Sequence, residues 1–339
     1  MDKQPLQIDP GRRLTIDPYV NDLGRWGASL VNNAELLIVC LDAAEPSSVV
    51  EIGAYAGDLT GLLVEWAAES GAHVSAIDPA PKKKLEDLAA AHADLELVRA
   101  TSLEALPNLP LPDAAIIDGD HNYYTVSEEL RVIAERAGEG AQPLLLFHDV
   151  CWPHARRDSY YTPERIPEES RQPIVRGAGL FPGEPGVRPG GLPYYWAAAR
   201  EGGTRNGVLT AIEDFIGERE DLVLAVVPAF FGFGAVWHRD APYADALAEL
   251  LAPYDRNPLL ERLEANRALH LASSHYHLTE LNAVRERAAK QEVLLRRLLE
   301  SSAFSLAARL SKLRLRLGIG VTQSALSKED VRQVLDDQP

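Results

Sequence analysis

In 339 residues the chain has only two cysteines, Cys40 and Cys151. They lack the paired spacings of a disulfide framework or a zinc site, so a cystine-stapled fold is excluded and two free thiols suited to a reducing interior remain. No stretch approaches the roughly 20 apolar residues that a membrane-spanning helix needs. The start, MDKQPLQIDPGRR, has neither the basic opening nor the apolar run of a secretory signal. The expectation is a cytoplasmic protein without stable membrane insertion. Positive charge is also short: 34 Lys and Arg against 50 Asp and Glu give a net charge of -16, the wrong sign for holding a phosphate backbone. No nucleic-acid partner is expected. Nothing repeats at a fixed period, which excludes a solenoid. The G-x-G-x-x-G turn and the Tyr-x-x-x-Lys pair are absent too, which counts against an NAD-linked oxidoreductase or epimerase.

What is present is an ordinary globular composition, 46% hydrophobic and 25% charged, enough for a full α/β core and an appendage. A helical stretch at 23–44 stops before Pro46 and reads as a cap. Short β-like runs at 48–52, 74–77, 95–98, 114–117 and 143–147 then alternate with helical runs at 59–70, 82–93 and 127–136. Such alternation implies a parallel sheet covered on both faces. From 150 to 206 the pattern gives way to a loop rich in Pro, Gly, Tyr and Arg, including PGEPGVRPGGLPYYW, of the kind that forms lids. A helix at 207–217 and two β-like runs at 222–227 and 233–238 close the pattern as an antiparallel hairpin. The residues from 259 to 317 are helical and charge-laced. The predicted fold is therefore Rossmann-like α/β: a doubly wound, mostly parallel sheet with an antiparallel last strand. Its expected organisation is a cap at 1–45, a central domain at 46–240 with a lid insertion at about 150–206, and a C-terminal helical arm at 241–339.

Two segments carry chemistry. In SVVEIGAYAGDLTGLL a β-branched run ends at Glu51, Gly53 and Gly57 follow, and Thr60 lies near a helix start, which makes a turn built for close backbone approach to a ligand. The next strand, HVSAIDPA, ends in Asp78, where a carboxylate can accept ribose hydroxyls. In AAIIDGDHNYY a buried strand delivers Asp118, Asp120 and His121 at its carboxyl end, and PLLLF delivers His148 and Asp149 in the same way. If these strands are neighbours, Asp118 faces Asp149. Carboxylates converging without Arg or Lys repel, and a hard divalent cation is the economical remedy, with magnesium the best match to oxygen ligands.

The spacing Glu51-x-Gly53-x-x-x-Gly57, with Asp78 on the second strand, resembles motif I and the acidic residue of class I S-adenosylmethionine-dependent methyltransferases. IDGDHNYYTVSEEL followed by LLLFHDV resembles, within that class, the metal-dependent sugar and natural-product O-methyltransferases of the macrocin, novobiocin-sugar and cephalosporin pathways. The resemblance covers about 49–150. It implies that S-adenosyl-L-methionine is held by Glu51, Gly53, Tyr55, Gly57, Asp78 and Asp118, with Glu51 and Gly53 on the methionine side and Asp78 on the ribose. Thr101 and Ser102 take the position beside adenine. It further implies that Asp118 and Asp149 are ligands of a divalent metal, expected to be magnesium, and that Asp120 or His121 is the catalytic base. His148 departs from the pattern, standing where a carboxylate is usual, and is counted as a third ligand. The implied activity is methyl transfer to a hydroxyl of a small acceptor, a sugar or glycosylated natural-product metabolite. A non-catalytic scaffold that binds S-adenosylmethionine remains the other reading.

Among lesser features, Arg156, Arg157, Tyr160, Tyr161 and Trp196 are candidates to grip an acceptor, while His154 reads as a surface histidine and Cys151 as a small buried hydrophobe. The basic stretch AFSLAARLSKLRLRL suits a helix docked on an acidic surface, and the C-terminal helices are a candidate homo-oligomer interface.

Overall fold

The computed structural model describes residues 29–138, 142–217, 219–317 and 327–336. A 3-10 turn, Leu30–Asn33, leads into α1 (Ala34–Ala44), which ends at Glu45 in a left-handed conformation just ahead of Pro46. The part of the expected cap before residue 29 lies outside the described residues. Alternation then proceeds through β1 (Ser48–Ile52), α2 (Asp58–Ser70), β2 (His73–Ile77), α3 (Lys83–Ala91), β3 (Leu95–Val98), the single turn α4 (Ser102–Ala105), β4 (Ala114–Ile117), α5 (Tyr123–Ala137) and β5 (Leu144–His148). After the insertion come α6 (Val208–Ile216), β8 (Leu222–Val227) and β9 (Phe233–His238).

The seven-stranded sheet has the order β3-β2-β1-β4-β5-β9-β8. Strands β1 to β5 pair in parallel, whereas β9 runs antiparallel to both β5 and β8. The chain is thus a Rossmann-like, mostly parallel sheet with an antiparallel last strand, and β9 is inserted beside β5 while β8 forms the edge. The order reverses between β1 and β4, where open α/β sheets place their ligands.

Side-chain parity assigns the two faces. Val49, Ala114, Ile116, Leu144 and Leu146 point into one apolar cluster with α1 and α2. Val50, Ile52, Ala115, Ile117, Leu145 and Phe147 point into the other with α5 and α6. Both faces are covered, so the strands read as continuous apolar runs rather than alternating ones.

Within 150–206 the chain is not an open loop. It forms a two-stranded antiparallel ribbon, β6 (Ile174–Leu180) and β7 (Leu192–Ala198), preceded by 3-10 turns at Pro163–Arg165 and Glu168–Ser170. Asp158, fully buried, ties the ribbon to the body: one carboxylate oxygen accepts from the Tyr123 and Gly207 amides at 2.8 and 2.7 Å. Proline and glycine mask this ribbon in the sequence, because they dilute the strand signal at its turns.

Past β9, α7 (Ala244–Leu251) buries Leu247, Leu250 and Leu251 in the α1/α2 cluster. The helix α8 (Pro258–Glu300) follows, and the chain divides into two compact units within it, at His275. The helical arm expected from 241 therefore begins later, since α7 and the first turns of α8 supply core residues. The second unit contains the rest of α8, α9 (Ser302–Arg316) and α10 (Lys328–Asp336), with Val331 buried and Lys328 Nζ donating to the Leu299 carbonyl at 2.8 Å. Among the described residues no helix is long and apolar enough to cross a membrane.

One carboxyl in the first unit sits against the grain of its surroundings. Glu129, on the inner face of α5, is fully buried, and among the described residues neither of its oxygens has a partner at full hydrogen-bond geometry. Burial pushes it up to about 8, and the nearby Ser102 hydroxyl offsets this only in part. Because its folded value lies above the unfolded one, ionisation costs stability progressively as pH rises from about 4.5 through about 8. Glu129→Gln is expected to melt close to the native protein at pH 5 and above it at pH 9, the gap reaching on the order of 4 kcal/mol. Melting curves at both pH values check this, and a gap that stays constant with pH would contradict it.

Candidate active site

Glu51 shares the parity of Val49 and so faces α2, where Thr60 donates to its Oε2 at 2.6 Å. The carboxyl is completely enclosed, and burial, with Asp118 and Asp78 adding repulsion, raises it to about 8 despite the Thr60 bond. One residue beyond β1 the chain turns at Gly53 with φ +90, and a Cβ there would lie 2.2 Å from the Asp118 carbonyl oxygen. Only a residue without a side chain permits β1 and β4 to end this close together. The turn continues through Tyr55, half exposed and left-handed, to Gly57 at the N-terminus of α2.

Asp78, at the end of β2, is buried and clasps this turn. Its Oδ2 accepts from the Tyr55 amide at 2.8 Å and its Oδ1 from the Ala80 amide at 2.7 Å. Each oxygen keeps one lone pair for a further donor. The Lys82 ammonium rests 5.0 Å from the centre of the Tyr55 ring. Thr101 and Ser102 part company: Thr101 builds a capping box for α4 with Glu104, whereas Ser102 is buried toward Glu129.

The second cluster follows from register. Ile117 pairs with Phe147, so the next residues along, Asp118 and His148, emerge side by side on the face that carries Glu51. His148 Nδ1 lies 3.1 Å from Asp118 Oδ1 and 3.4 Å from Asp149 Oδ2. His121 Nε2 lies 3.1 Å from Asp149 Oδ2 and 3.8 Å from Asp118 Oδ1. Two imidazoles therefore alternate with two carboxylates, and the charge that the sequence withheld as Arg or Lys is supplied by histidine. Burial would push His148 down, but Asp149 and Asp118 outweigh it and raise it to about 10. Burial likewise opposes ionisation of Asp118, yet His148 and His121 hold that carboxyl below its ordinary range. Asp149, more deeply enclosed, stays above its ordinary range through burial. Asp120 stands apart from the quartet, partly accessible, with the Thr125 hydroxyl 3.3 Å from its Oδ2, and burial raises it above its ordinary range.

Three supports could not be seen in the motif. His148 Nε2 is 2.9 Å from the Phe230 carbonyl, which fixes the ring and aims Nδ1 at the carboxylates. Phe230 and Phe231 adopt left-handed conformations in the β8–β9 turn, and the buried Glu264 of α8 accepts from both their amides at 3.0 and 2.8 Å. His154, expected at the surface, is buried 4.5 Å from the His121 ring with Tyr194 edge-on at 5.0 Å, and among the described residues its Nδ1 has no hydrogen-bond partner. Burial drives its basicity well down. Of the candidate acceptor-gripping residues, Tyr161 alone reaches this pocket, edge-on to His121 at 5.7 Å and itself exposed. Arg157 is buried on the carbonyls of Ala198 and Pro185, Arg156 pairs with Glu213, Tyr160 bonds Asp158, and Trp196 lies under Arg176. These four make contacts within the insertion or, for Arg156, to α6.

Residues 50–150, which include most of the strands that build both clusters, match the model of a methyltransferase domain. No curated protein sequence matches the chain. Among solved structures, an S-adenosylhomocysteine-bound methyltransferase from Podospora anserina is 15% identical, with 61% of this chain and 78% of that one covered at a TM-score of 0.39. A Staphylococcus aureus protein named as a caffeoyl-CoA O-methyltransferase is 11% identical, with 67% and 93% covered at 0.40. A methyltransferase from Geobacter sulfurreducens is 13% identical, with 67% and 91% covered at 0.35. These are distant similarities.

Gly53→Ala, which forces a Cβ against the Asp118 backbone at a positive φ, is expected to lower the melting temperature by about 10 °C or more. Glu264→Gln keeps the shape but loses the charge on two buried amides, with an expected cost of about 2 kcal/mol in denaturant unfolding. Native-like stability in either variant would show that the contact it removes does not hold the site.

Proposed function

We propose that the chain transfers a methyl group from S-adenosyl-L-methionine to a hydroxyl of a small acceptor, a sugar or glycosylated metabolite. The observation that carries this reading is the adjacency of the two clusters: the Gly53 turn packs on the backbone of Asp118, so a nucleoside held by the turn presents its reactive end at the carboxylates. Glu51, Gly53, Tyr55, Gly57 and Asp78 form the donor cradle in this reading, with Thr101 and Ser102 farther along beside adenine. The free lone pairs of Asp78 suit ribose hydroxyls.

The sulfonium is an intrinsically strong methyl donor, so the protein's task is alignment and removal of one proton. As the acceptor oxygen attacks the methyl carbon, the new O–C bond forms, the C–S bond breaks, and its electron pair stays on sulfur as a neutral thioether. Asp120 takes the acceptor's proton, because it stands apart from the quartet and burial raises its basicity, whereas His121 Nε2 is already engaged by Asp149. Asp118, His148 and Asp149 have donor atoms within 4.8 Å of one another and would hold a divalent cation, whose positive charge favours the ionised acceptor oxygen. The Phe230 carbonyl on His148 is the outer support such a ligand requires.

Calorimetry with S-adenosylhomocysteine is expected to show saturable binding at one site per chain, and absence of binding would end the methyltransferase reading. Asp120→Asn is expected to retain that binding while turnover of an accepted hydroxyl substrate falls by roughly 100-fold or more. Undiminished turnover would move the base elsewhere.

A further inference from the structure

An oxygen-only magnesium centre does not describe the donors around Asp149. Two ligand sets meet there: Asp118, His148 and Asp149 form one, and His121, Asp149 and His154 form the other, each with its donor atoms mutually within 4.8 Å. Three of the five side chains therefore offer nitrogen. The separations from Asp149 Oδ2, 3.1 Å to His121 and 3.4 Å to His148, are close to the roughly 3.3 Å between neighbouring donors of an ion whose ligands sit about 2.0–2.1 Å away. Magnesium, by contrast, requires near-octahedral oxygen and keeps several waters, while imidazole suits zinc, iron, copper and nickel.

His154 is the independent sign of a ligand. It is 3% exposed and among the described residues its Nδ1 has no hydrogen-bond partner, an arrangement that is costly unless something occupies the nitrogen's surroundings. It lies on the segment after β5, outside the acidic motifs, and the main chain holds it there: the Val208 amide donates to its carbonyl at 2.9 Å. His148 is equally prepared, with its far nitrogen on the Phe230 carbonyl and the near one turned inward.

We propose that the cluster is a transition-metal centre, in which His121, Asp149 and His154 hold a first-row divalent ion such as zinc or cobalt in preference to magnesium, bordered through the shared Asp149 by Asp118 and His148. The ion's task in catalysis rests on the methyl-transfer reading, whereas its binding does not.

The test uses the full chain after removal of bound metal with a chelator. Calorimetric titration with Zn2+, Co2+ and Mg2+ is expected to give transition-ion affinities roughly 100-fold above that for magnesium. Bound Co2+ is expected to show the visible absorption of an imidazole-ligated ion. His154→Gln is expected to weaken Co2+ binding at least about tenfold and to alter that spectrum. His148→Asp is expected to narrow the gap toward magnesium, and its spectrum and affinity decide the matter if His154→Gln fails to fold, as judged by circular dichroism. Magnesium bound as tightly as cobalt by the native chain, or an unchanged cobalt spectrum in a folded His154→Gln, would overturn the proposal. Titration with S-adenosylhomocysteine runs alongside: ion binding without nucleoside binding would sink the methyl-transfer reading alone, and the reverse would sink the metal assignment alone.

Discussion

Two carboxylates set into the same end of a buried sheet repel by about 4 kcal/mol at 4 Å, even with an effective dielectric constant of 20. The compensation of that repulsion at Asp118 and Asp149 governs much of what surrounds it. His148 must hold its ring in one plane, so the β8–β9 turn delivers a carbonyl to its far nitrogen, and that turn must adopt left-handed geometry at two bulky residues. Glu264 keeps the strained turn in place by accepting both of its amides, and Arg267 in turn pairs with Glu264 and rests on the Phe231 ring at 4.4 Å. Each layer exists to fix the one inside it.

The sheet makes this possible through parity rather than through any special loop. Glu51, Asp118 and His148 all continue the face whose earlier members are apolar, so three neighbouring strands change from hydrocarbon to titratable side chains at their carboxyl ends, β1 one pleat before β4 and β5. The cost of polar groups there is confined to the carboxyl edge, above a layer of Val, Ile and Leu that excludes water from below. Gly53 then lets β1 and β4 end in contact, which brings the nucleoside turn and the acidic cluster into one pocket.

The fold and the acidic motifs were legible in the sequence because both are local. Strand and helix runs up to Phe147 announce themselves by period, and Asp118, Asp120, Asp78 and Glu51 fall at strand ends, where register carries them to one rim. What was not legible depends on contacts across long separations. His154 has no periodic context, and its burial beside His121 follows from the ribbon folding over it. Glu264 reads as one more acidic residue on a charge-laced helix, and Phe230 and Phe231 read as ordinary turn aromatics. The ribbon β6–β7 itself hides behind its glycines and prolines, and α7 sits among residues whose polar neighbours obscure its short apolar face. His148 was visible as a departure from the expected carboxylate, yet only the fold shows it standing between two carboxylates as their partner.

The inner bonds of this cluster join residues 30, 82 and 34 positions apart, from Asp118 to His148, from His148 to Phe230, and from Phe230 to Glu264. Each closure costs chain entropy that the local βα units do not incur, so the strands must be docked before the cluster can form. A centre closed this late takes little part in the folding nucleus. Its contribution falls on the unfolding side of the barrier, where it sets how long the native chain survives rather than how quickly it is reached.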